Sequence, residues 1–433
     1  MFFLGLGPHI ASGMCISALR IRTFTQFETA RRICWVMIIL LVSLPLSVQA
    51  ADLSIVPQID VGAKYDSNIN FNFVGRQHDF IFNTTPSVDF NYASETTKLT
   101  GHLGLDGQVY VNHSNLDIIN QYYRLLGSQQ VAPRLALNFK GSYTLDSTLN
   151  EEISTSGFVM NRSRRQAFDA APGFAFNLTE RATLQTTYDF NRVNYQSPRY
   201  VDYTSQTVNL GLNYLLKNAK TTVSGVYLLR FIEYPAIENF YRNMGTYLGV
   251  SHQFSEDWSA SAFAGLNYNW LTSQTAVLSF GNLAAFVQLR QVKLQTFTVT
   301  PYLNFSAKRH WPKTDFVFGY TLDQSPSGSG TINQFHNGSA TISRRLTERL
   351  TGSLGGNLYY SISSSPGSNY NNVILYLTPG LNYKLTEKFS LNGSYTYGWR
   401  DDLSGNRTIG PQTVSRNLVW LYLRYTNQFH YQR

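Results

Sequence analysis

The chain has 433 residues, of which 43% are hydrophobic and only 14% are charged. Soluble globular proteins carry about 25% charged residues, whereas a mean hydropathy of −0.20 is too polar for a bundle of membrane-spanning helices. The net charge of +9 is spread along the chain, so it does not indicate nucleic-acid binding. With 14% aromatic residues, the composition favours a membrane β-barrel. A large secreted β-sandwich or β-solenoid is the alternative.

Residues 1–50 are predicted to be a secretory signal peptide. Several arginines precede the uncharged apolar run Ile33–Leu46, and Val48-Gln49-Ala50 supplies small residues for cleavage before Ala51. The alternative is an N-terminal membrane anchor, for which an apolar run of about 14 residues is short. Both cysteines, Cys15 and Cys34, lie in this leader. The predicted mature chain therefore has no disulfide and no thiolate metal site.

Residues 51–433 are predicted to form one all-β domain built from hairpins. In the first strand, within Ile55–Asn70, apolar residues alternate with polar residues such as Gln58 and Asp66. The same alternation is clearest in the hairpin Val373–Arg400. Strict alternation indicates strands with two chemically different faces, and arms of about 12 residues suit tilted strands that cross a bilayer.

Short polar turns recur between the predicted strands. The sequence Leu-Thr-Glu-Arg occupies residues 178–181 and 346–349, and Leu-Thr-Glu-Lys occupies residues 385–388. A looser turn is predicted at Arg290–Lys293. On the opposite side we predict longer loops, including Asn150–Arg165 and the longest, Lys308–Gly330, in which Phe316–Tyr320 is a short strand at most.

Together these elements predict a transmembrane antiparallel up-and-down β-barrel of about 18 strands, with 16 as the alternative count. Its short turns would be periplasmic and its longer loops extracellular, and the first strand would pair with the last so that no edge is left open in lipid. The last strand alternates from Val419 and ends in aromatics at Phe429 and Tyr431. This resembles the C-terminal signal recognised by the outer-membrane barrel assembly machinery, although Gln432 and Arg433 follow here.

The polar rows of the strands predict the lining of an aqueous channel. The alternative is that these side chains pair across the lumen and leave it constricted or plugged. The predicted lining residues are Asp60, Lys64, Asp89, His102, Asp106, Lys140, Asp189, Arg230, Lys308, Lys384, Arg400 and Arg424.

Aromatic side chains also fall on the polar rows. Flat aromatic faces in a polar lumen can stack on sugar rings, and the alternative is that they fill space between hydrogen-bonding neighbours. The residues concerned are Tyr110, Tyr247, Tyr302, Tyr359, Tyr376 and Trp420.

The sequence predicts no catalytic site, metal or cofactor. It contains neither G-x-S-x-G nor H-E-x-x-H. His113-Ser114-Asn115 and His78-Asp79 are only chain neighbours, which point to opposite faces of a strand. Three arginines, Arg162, Arg164 and Arg165, are candidates for contact with lipopolysaccharide phosphates, with a solvated loop face as the alternative.

Several of these features together resemble the β-barrel porin 2 family, which includes EpsL-like barrels of exopolysaccharide loci. They are the leader, the first strand Pro57–Val61 leading to Tyr65-Asp66-Ser67-Asn68-Ile69, and the repeated Leu-Thr-Glu-Arg/Lys turns. The resemblance implies an outer-membrane protein linked to polysaccharide synthesis or export, and it implies no catalytic residues.

The sequence thus predicts a porin-like outer-membrane channel for polar solutes, connected with exopolysaccharide export. The alternative is a non-conducting structural or assembly barrel that anchors a polysaccharide export complex. Expected partners are outer-membrane lipid and lipopolysaccharide, the assembly machinery, and polysaccharide or polysaccharide-export proteins, but no nucleic acid.

Overall fold

A computed structural model of the chain describes residues 51–157, 161–280, 287–363, 371–404 and 413–432. The predicted leader lies outside these residues. Besides one α-helix, α1 (Glu151–Ser156), and a 3-10 turn at Ser114–Leu116, the described elements are strands. They are β1 Asp52–Asp66, β2 Asp79–Ala93, β3 Thr97–Tyr110, β4 Ile118–Ala132, β5 Leu135–Ser147, β6 Arg164–Asn177, β7 Ala182–Tyr195, β8 Tyr203–Leu215, β9 Thr221–Tyr234, β10 Asn239–Ser255, β11 Trp258–Phe280, β12 Val287–Trp311, β13 Thr314–Pro326, β14 Ile332–Arg345, β15 Leu350–Ser363, β16 Asn371–Lys384, β17 Phe389–Asp402, β18 Thr413–Thr426 and β19 Phe429–Gln432.

Strands β1 to β18 form one closed antiparallel ring in the described part of the chain. Each strand pairs with the next along the chain, and β1 closes the ring against β18, with Gln58 opposite Thr426 and Asp66 opposite Leu418. The short β19 continues beyond β18 and pairs with the first residues of β1. The predicted up-and-down barrel of 18 strands is therefore confirmed.

The two faces of the wall differ as the alternation predicts. On β1, Asp60 is 3% exposed while the adjacent Val61 is 52% exposed. On β18 the outer row of Val419, Leu421 and Leu423 is likewise exposed. An apolar exterior around a polar interior, with every strand edge paired, is the architecture of a bacterial outer-membrane barrel, because lipid offers no partner for a free backbone group.

Among the described residues, no helix has the length and apolar character that crossing a membrane would require.

The repeated Leu-Thr-Glu-Arg/Lys sequence forms the same turn each time. The hydroxyl of Thr179 accepts hydrogen bonds from the backbone N–H groups of Arg181 and Ala182, at 3.2 and 3.0 Å. Thr347 and Thr386 do the same in their own turns. A threonine at this position satisfies two backbone donors in a turn too short to satisfy them otherwise. The repeat is therefore a property of the tight turns at one end of the barrel.

Two ion pairs on the inner face hold the closing seam together. Arg424 donates from Nε and Nη2 to the two carboxylate oxygens of Asp60, both at 2.8 Å. Further along the seam, Arg416 donates from Nε to both oxygens of Asp66 at 3.0 Å. Two-pronged pairs of this kind fix geometry as well as charge. They therefore favour one register between the first and last strands.

Two sequence predictions about the wall are wrong. Arg290–Lys293 is not a turn but part of the 25-residue β12, which pairs along its length with the 23-residue β11. Lys308–Gly330 is not a long loop either, because β12 continues to Trp311, a two-residue turn follows and β13 is a full strand. A polar stretch inside a long strand such as β12 contains the same residue types as a turn, so the local sequence does not distinguish the two.

Replacing Leu421 on the outer face by arginine tests the lipid-facing assignment. We expect Leu421→Arg to lower the free energy of unfolding by about 2–4 kcal/mol, the cost of an arginine facing the middle of a bilayer. Guanidinium unfolding in lipid bilayers, followed by the shift between folded and unfolded bands on a gel, measures this. Leu421→Phe is the control and should remain within about 0.5 kcal/mol of the parent. Equal stability of both variants would contradict the assignment.

Candidate functional site

The connection between β5 and β6 folds into the lumen. Its residues 148–157, hereafter the crossing segment, contain α1, whose Glu152 and Ile153 are buried. The Ser156 carbonyl oxygen accepts hydrogen bonds from Ser361 on β15 at 2.8 Å and Asn333 on β14 at 3.4 Å. In a ring of 18 strands, β14 and β15 stand opposite β5 and β6. The crossing segment therefore spans the lumen from wall to wall.

Local sequence explains the shape of this segment. Leu149, just before α1, and Ile153, within it, are both buried and belong to one apolar cluster. The helix ends at Gly157, whose φ of 66° is a left-handed conformation that glycine adopts without strain. The apolar pair packs into a small core inside the barrel with Phe71, Phe335, Tyr359, Ile374 and Val414.

The carboxylate of Glu152 is the main polar anchor of the crossing segment. One oxygen accepts from Arg165 Nε at 3.2 Å and from the Tyr195 hydroxyl at 2.6 Å. The other accepts from the Gly328 backbone N–H at 3.0 Å and the Ser156 hydroxyl at 2.7 Å. Glu152 thereby joins α1, the wall strands β6 and β7, and the loop between β13 and β14.

The Tyr-Asp-Ser-Asn-Ile tip after β1 also turns inward. Asp66 accepts from the Asn68 backbone N–H at 3.0 Å, and Asn68 accepts from the Asn72 backbone N–H at 3.1 Å. This compact loop places the buried Phe71 ring 6.0 Å from the Arg416 guanidinium. The motif therefore fixes a second inward loop that packs against the crossing segment.

The crossing segment separates two polar cavities. One, hereafter the basic chamber, has a volume of about 430 Å³ and lies between β1–β5 and β15–β18; its lining includes Lys64, Asp66, Arg162, Arg416, Tyr110 and Trp420. The other, hereafter the acidic chamber, has about 410 Å³ and lies between β6–β9 and β13–β14; its charged lining residues are Asp169, Asp189, Asp323, Arg165 and Arg230. Residues of α1 line both chambers: Ile153 and Ser154 line the basic chamber, and Thr155 lines the acidic chamber.

All twelve predicted lining residues lie on rows that alternate with the apolar outer rows. Most of them have polar partners. The pairs, besides Asp60 with Arg424, are Asp89 with His102 at 2.7 Å, Lys140 with Asp169 at 3.5 Å and Arg230 with Asp323 at 3.8 Å. Three of these four pairs join neighbouring strands. Only Arg230 with Asp323 joins strands that are not adjacent, β9 and β13, which is the pairing across the lumen that the sequence left open.

The remaining predicted lining residues have different surroundings. Asp106 accepts from Thr85, Gln108 and Asn120, and the buried Arg400 donates to Asn372 at 3.2 Å. Lys64 lies in the basic chamber and Asp189 in the acidic one. Lys308 and Lys384 are exposed near the short turns. That these twelve line a conducting channel stays a prediction.

The aromatic candidates divide into two groups. Tyr110, Tyr359, Tyr376 and Trp420 all line the basic chamber. Tyr247 and Tyr302 instead stack on each other, with ring centroids 3.9 Å apart, and the Tyr247 hydroxyl donates to Asn267 at 2.6 Å. The second group fills space on the wall, whereas the first group borders a cavity.

Two of the three loop arginines point inward rather than toward the outer rim. Arg165 is 4% exposed and pairs with Glu152, and Arg162 lies over the Tyr110 ring with its guanidinium carbon 4.9 Å from the centroid. Arg165 is therefore too buried to contact lipopolysaccharide, whereas that contact stays a prediction for Arg162 and Arg164. Sequence reasoning also missed Glu152 and Arg416. The apolar pair Leu149 and Ile153 in a polar loop was the available signal that this loop is buried.

His113, one of the two histidines considered for catalysis, has a structural role. His113 Nδ1 lies 2.8 Å from Asp79 Oδ2, and Asp79 also accepts from the Asn112 backbone N–H at 3.1 Å. This arrangement fastens the β3–β4 loop to the start of β2. Among the described residues, no three histidine, cysteine, aspartate or glutamate side chains are gathered so as to hold a metal ion.

Comparison with known proteins finds solved outer-membrane channels. The outer membrane channel DcaP of Acinetobacter baumannii is 11% identical over 87% of this chain and 97% of its own, with a TM-score of 0.41. OpdK from Pseudomonas aeruginosa is 14% identical over 88% of this chain and 99% of its own, with a TM-score of 0.42. OccAB4 of A. baumannii is 10% identical over 88% and 99%, with a TM-score of 0.43. No family model and no curated protein matches the chain.

Neutralising Glu152 should release the crossing segment. Glu152→Gln leaves the Arg165 guanidinium buried without its counter-charge, and breaking a buried pair in this way costs about 3–5 kcal/mol. We expect hydrogen-exchange protection of residues 149–157 to fall by roughly 100- to 4,000-fold while the wall strands keep theirs. Hydrogen exchange read by mass spectrometry measures this. The control, Glu180→Gln in an exposed turn, should change nothing; unaltered protection in Glu152→Gln would show that the anchor is dispensable.

Proposed function

We propose that the protein is a passive outer-membrane channel for small polar solutes. The observation that carries this proposal is the crossing segment, which narrows the lumen yet has a polar chamber on each side, of about 430 and 410 Å³. A barrel of 16–18 strands encloses an aqueous lumen unless something fills it. A loop that restricts such a lumen limits the size of solute that passes and brings protein side chains within reach of it.

We further propose that the solutes are carbohydrate, in connection with exopolysaccharide synthesis or export. Two observations support this: the aromatic side chains that border the basic chamber, and the resemblance of the Tyr-Asp-Ser-Asn-Ile tip and the repeated turns to barrels of exopolysaccharide loci. Aromatic faces stack on the apolar faces of sugar rings while neighbouring polar groups bond the hydroxyls. On this proposal the partners are polysaccharide or polysaccharide-export proteins, beside the lipid, lipopolysaccharide and assembly machinery that any such barrel meets.

A non-conducting barrel that anchors an export complex is the second candidate. It is favoured by the number of contacts that fix the inward loops: the apolar core around Ile153, the four hydrogen bonds to Glu152, and the bonds from Ser361 and Asn333 to Ser156. Loops packed this firmly could seal the lumen and leave only a scaffold.

Conductance in planar bilayers separates the two functions. We expect the purified protein to give discrete current steps. Replacing residues 149–157 by a short Gly/Ser linker should raise the unit conductance roughly twofold or more, because the obstruction is removed from a lumen of aqueous dimensions. The barrel tolerates the shorter connection because Ser147 and Arg164 are already paired.

The unaltered and shortened proteins together decide the question. Steps from both, larger in the shortened protein, agree with a restricted channel. Steps from the shortened protein alone would mean that the crossing segment seals the lumen, as the anchoring function requires. Silence from both, with intact barrels by gel shift, would exclude transport through the lumen.

A further inference from the structure

We propose that the basic chamber is a binding site for an anionic sugar, that is, a sugar ring that carries a carboxylate or another acidic group. This proposal rests on the proposed carbohydrate channel and specifies which sugars it selects. It depends on the placement of charged and aromatic side chains around one cavity.

Among the described residues that line the basic chamber, cationic groups outnumber carboxylates. Three cations, Lys64, Arg162 and Arg416, line it together with one carboxylate, Asp66. Asp66 is committed to Arg416 by hydrogen bonds at 3.0 Å. Asp106, on the inner face of β3 and bonded to Asn120 in the chamber lining, is the other carboxylate near Lys64. Even with Asp106 included, three cations face two carboxylates. The chamber therefore stabilises an anion that enters it.

The two cations outside the seam pair lie against aromatic rings. Lys64 Nζ is 4.5 Å from the centroid of the Trp420 ring, and Arg162 lies over Tyr110. Trp420 in turn stacks on Tyr422 with centroids 4.3 Å apart, and its indole N–H donates to Asn83 at 3.1 Å. The indole is thereby held in one orientation. The part of the indole that borders the chamber and the neighbouring cation can contact a sugar ring and its acidic group together.

The size of the chamber agrees with such a ligand. Its volume of about 430 Å³ falls within the range of about 300–1,000 Å³ that is usual for small-molecule sites. The crossing segment forms one side through Leu149, Asn150, Ile153 and Ser154. The site is therefore complete only when the crossing segment is in place.

The acidic chamber has the opposite balance. Three carboxylates, Asp169, Asp189 and Asp323, line it with two cations, Arg165 and Arg230. Glu152 pairs with Arg165, and Arg230 lies 3.8 Å from Asp323 and donates to the Gln324 carbonyl at 2.9 Å. Lys140 lies 3.5 Å from Asp169, so with Glu152 and Lys140 included four carboxylates face three cations. The acidic chamber should therefore repel an anionic sugar. The same barrel thus contains a comparison cavity of similar volume and opposite sign.

Binding of a matched sugar pair tests the proposal. Galacturonate and galactose differ by one carboxylate, and ligand-observed NMR titration of the full barrel in detergent gives both dissociation constants. We expect galacturonate to bind at least about tenfold more tightly, and Lys64→Gln to weaken galacturonate about tenfold while leaving galactose unchanged, the size of one charge-assisted hydrogen bond. Trp420→Ala should weaken both sugars.

Control variants distinguish this site from general attraction by positive charge. Lys140→Gln removes the same charge beside Asp169, outside the basic chamber, and should leave galacturonate binding unchanged. Arg162→Gln lies in a loop rather than in the wall, so it supplies a second test if Lys64→Gln does not fold; it should also weaken galacturonate selectively. Equal affinities for the two sugars, or equal losses in Lys64→Gln and Lys140→Gln, would overturn the proposal.

The titration needs no current through the protein. A barrel that binds galacturonate selectively but gives no conductance would retain this site and lose the proposed channel. A barrel that conducts but does not distinguish the sugars would retain the channel and lose this site.

Discussion

The buried carboxylate of Glu152 is the interaction on which the interior of this barrel depends. Removing a charge from water costs several kcal/mol unless its hydrogen-bonding capacity is used. Here both oxygens are used, by a guanidinium, a phenol, a hydroxyl and a backbone N–H that belong to separate parts of the chain. The burial cost is therefore offset only when all of these groups converge. Without that convergence, the β5–β6 connection would be a solvated loop and the lumen would be a single wide space.

The barrel wall makes this polar interior possible because the wall is stabilised without an apolar core inside the barrel. Its apolar surface faces lipid, and its edges are satisfied by closure of β1 on β18. The interior is then free to hold polar networks, two seam ion pairs and a small apolar core around Ile153. A soluble protein of this size buries its apolar residues at the centre, whereas here the buried apolar cluster fixes a loop.

The sequence predicts the wall of this protein well and its interior poorly, for physical reasons. Strand alternation and the threonine turns are local, so the strand faces and the positions of the Leu-Thr-Glu-Arg/Lys turns follow from short stretches of chain. The predicted count of 18 is right although one turn is predicted at Arg290–Lys293 instead of between β12 and β13. The partners of Glu152 are not local: Gly328 is 176 residues away. No periodicity connects such positions. The long hairpin of β11 and β12 was missed for a related reason, since a polar stretch of strand resembles a turn unless its pairing partner is known.

The crossing segment also changes how the charge of the barrel acts on a solute. In an undivided aqueous lumen, side chains of both signs are screened over a Debye length of about 8–10 Å, and a solute experiences their average. A packed segment between the two chambers keeps a solute close to the side chains of one chamber, because it occupies the space between them. Each chamber then presents its own local balance, positive around Lys64 and negative around Asp189. On the proposed function, selectivity is therefore set by which chamber a solute enters and not by the net charge of the chain.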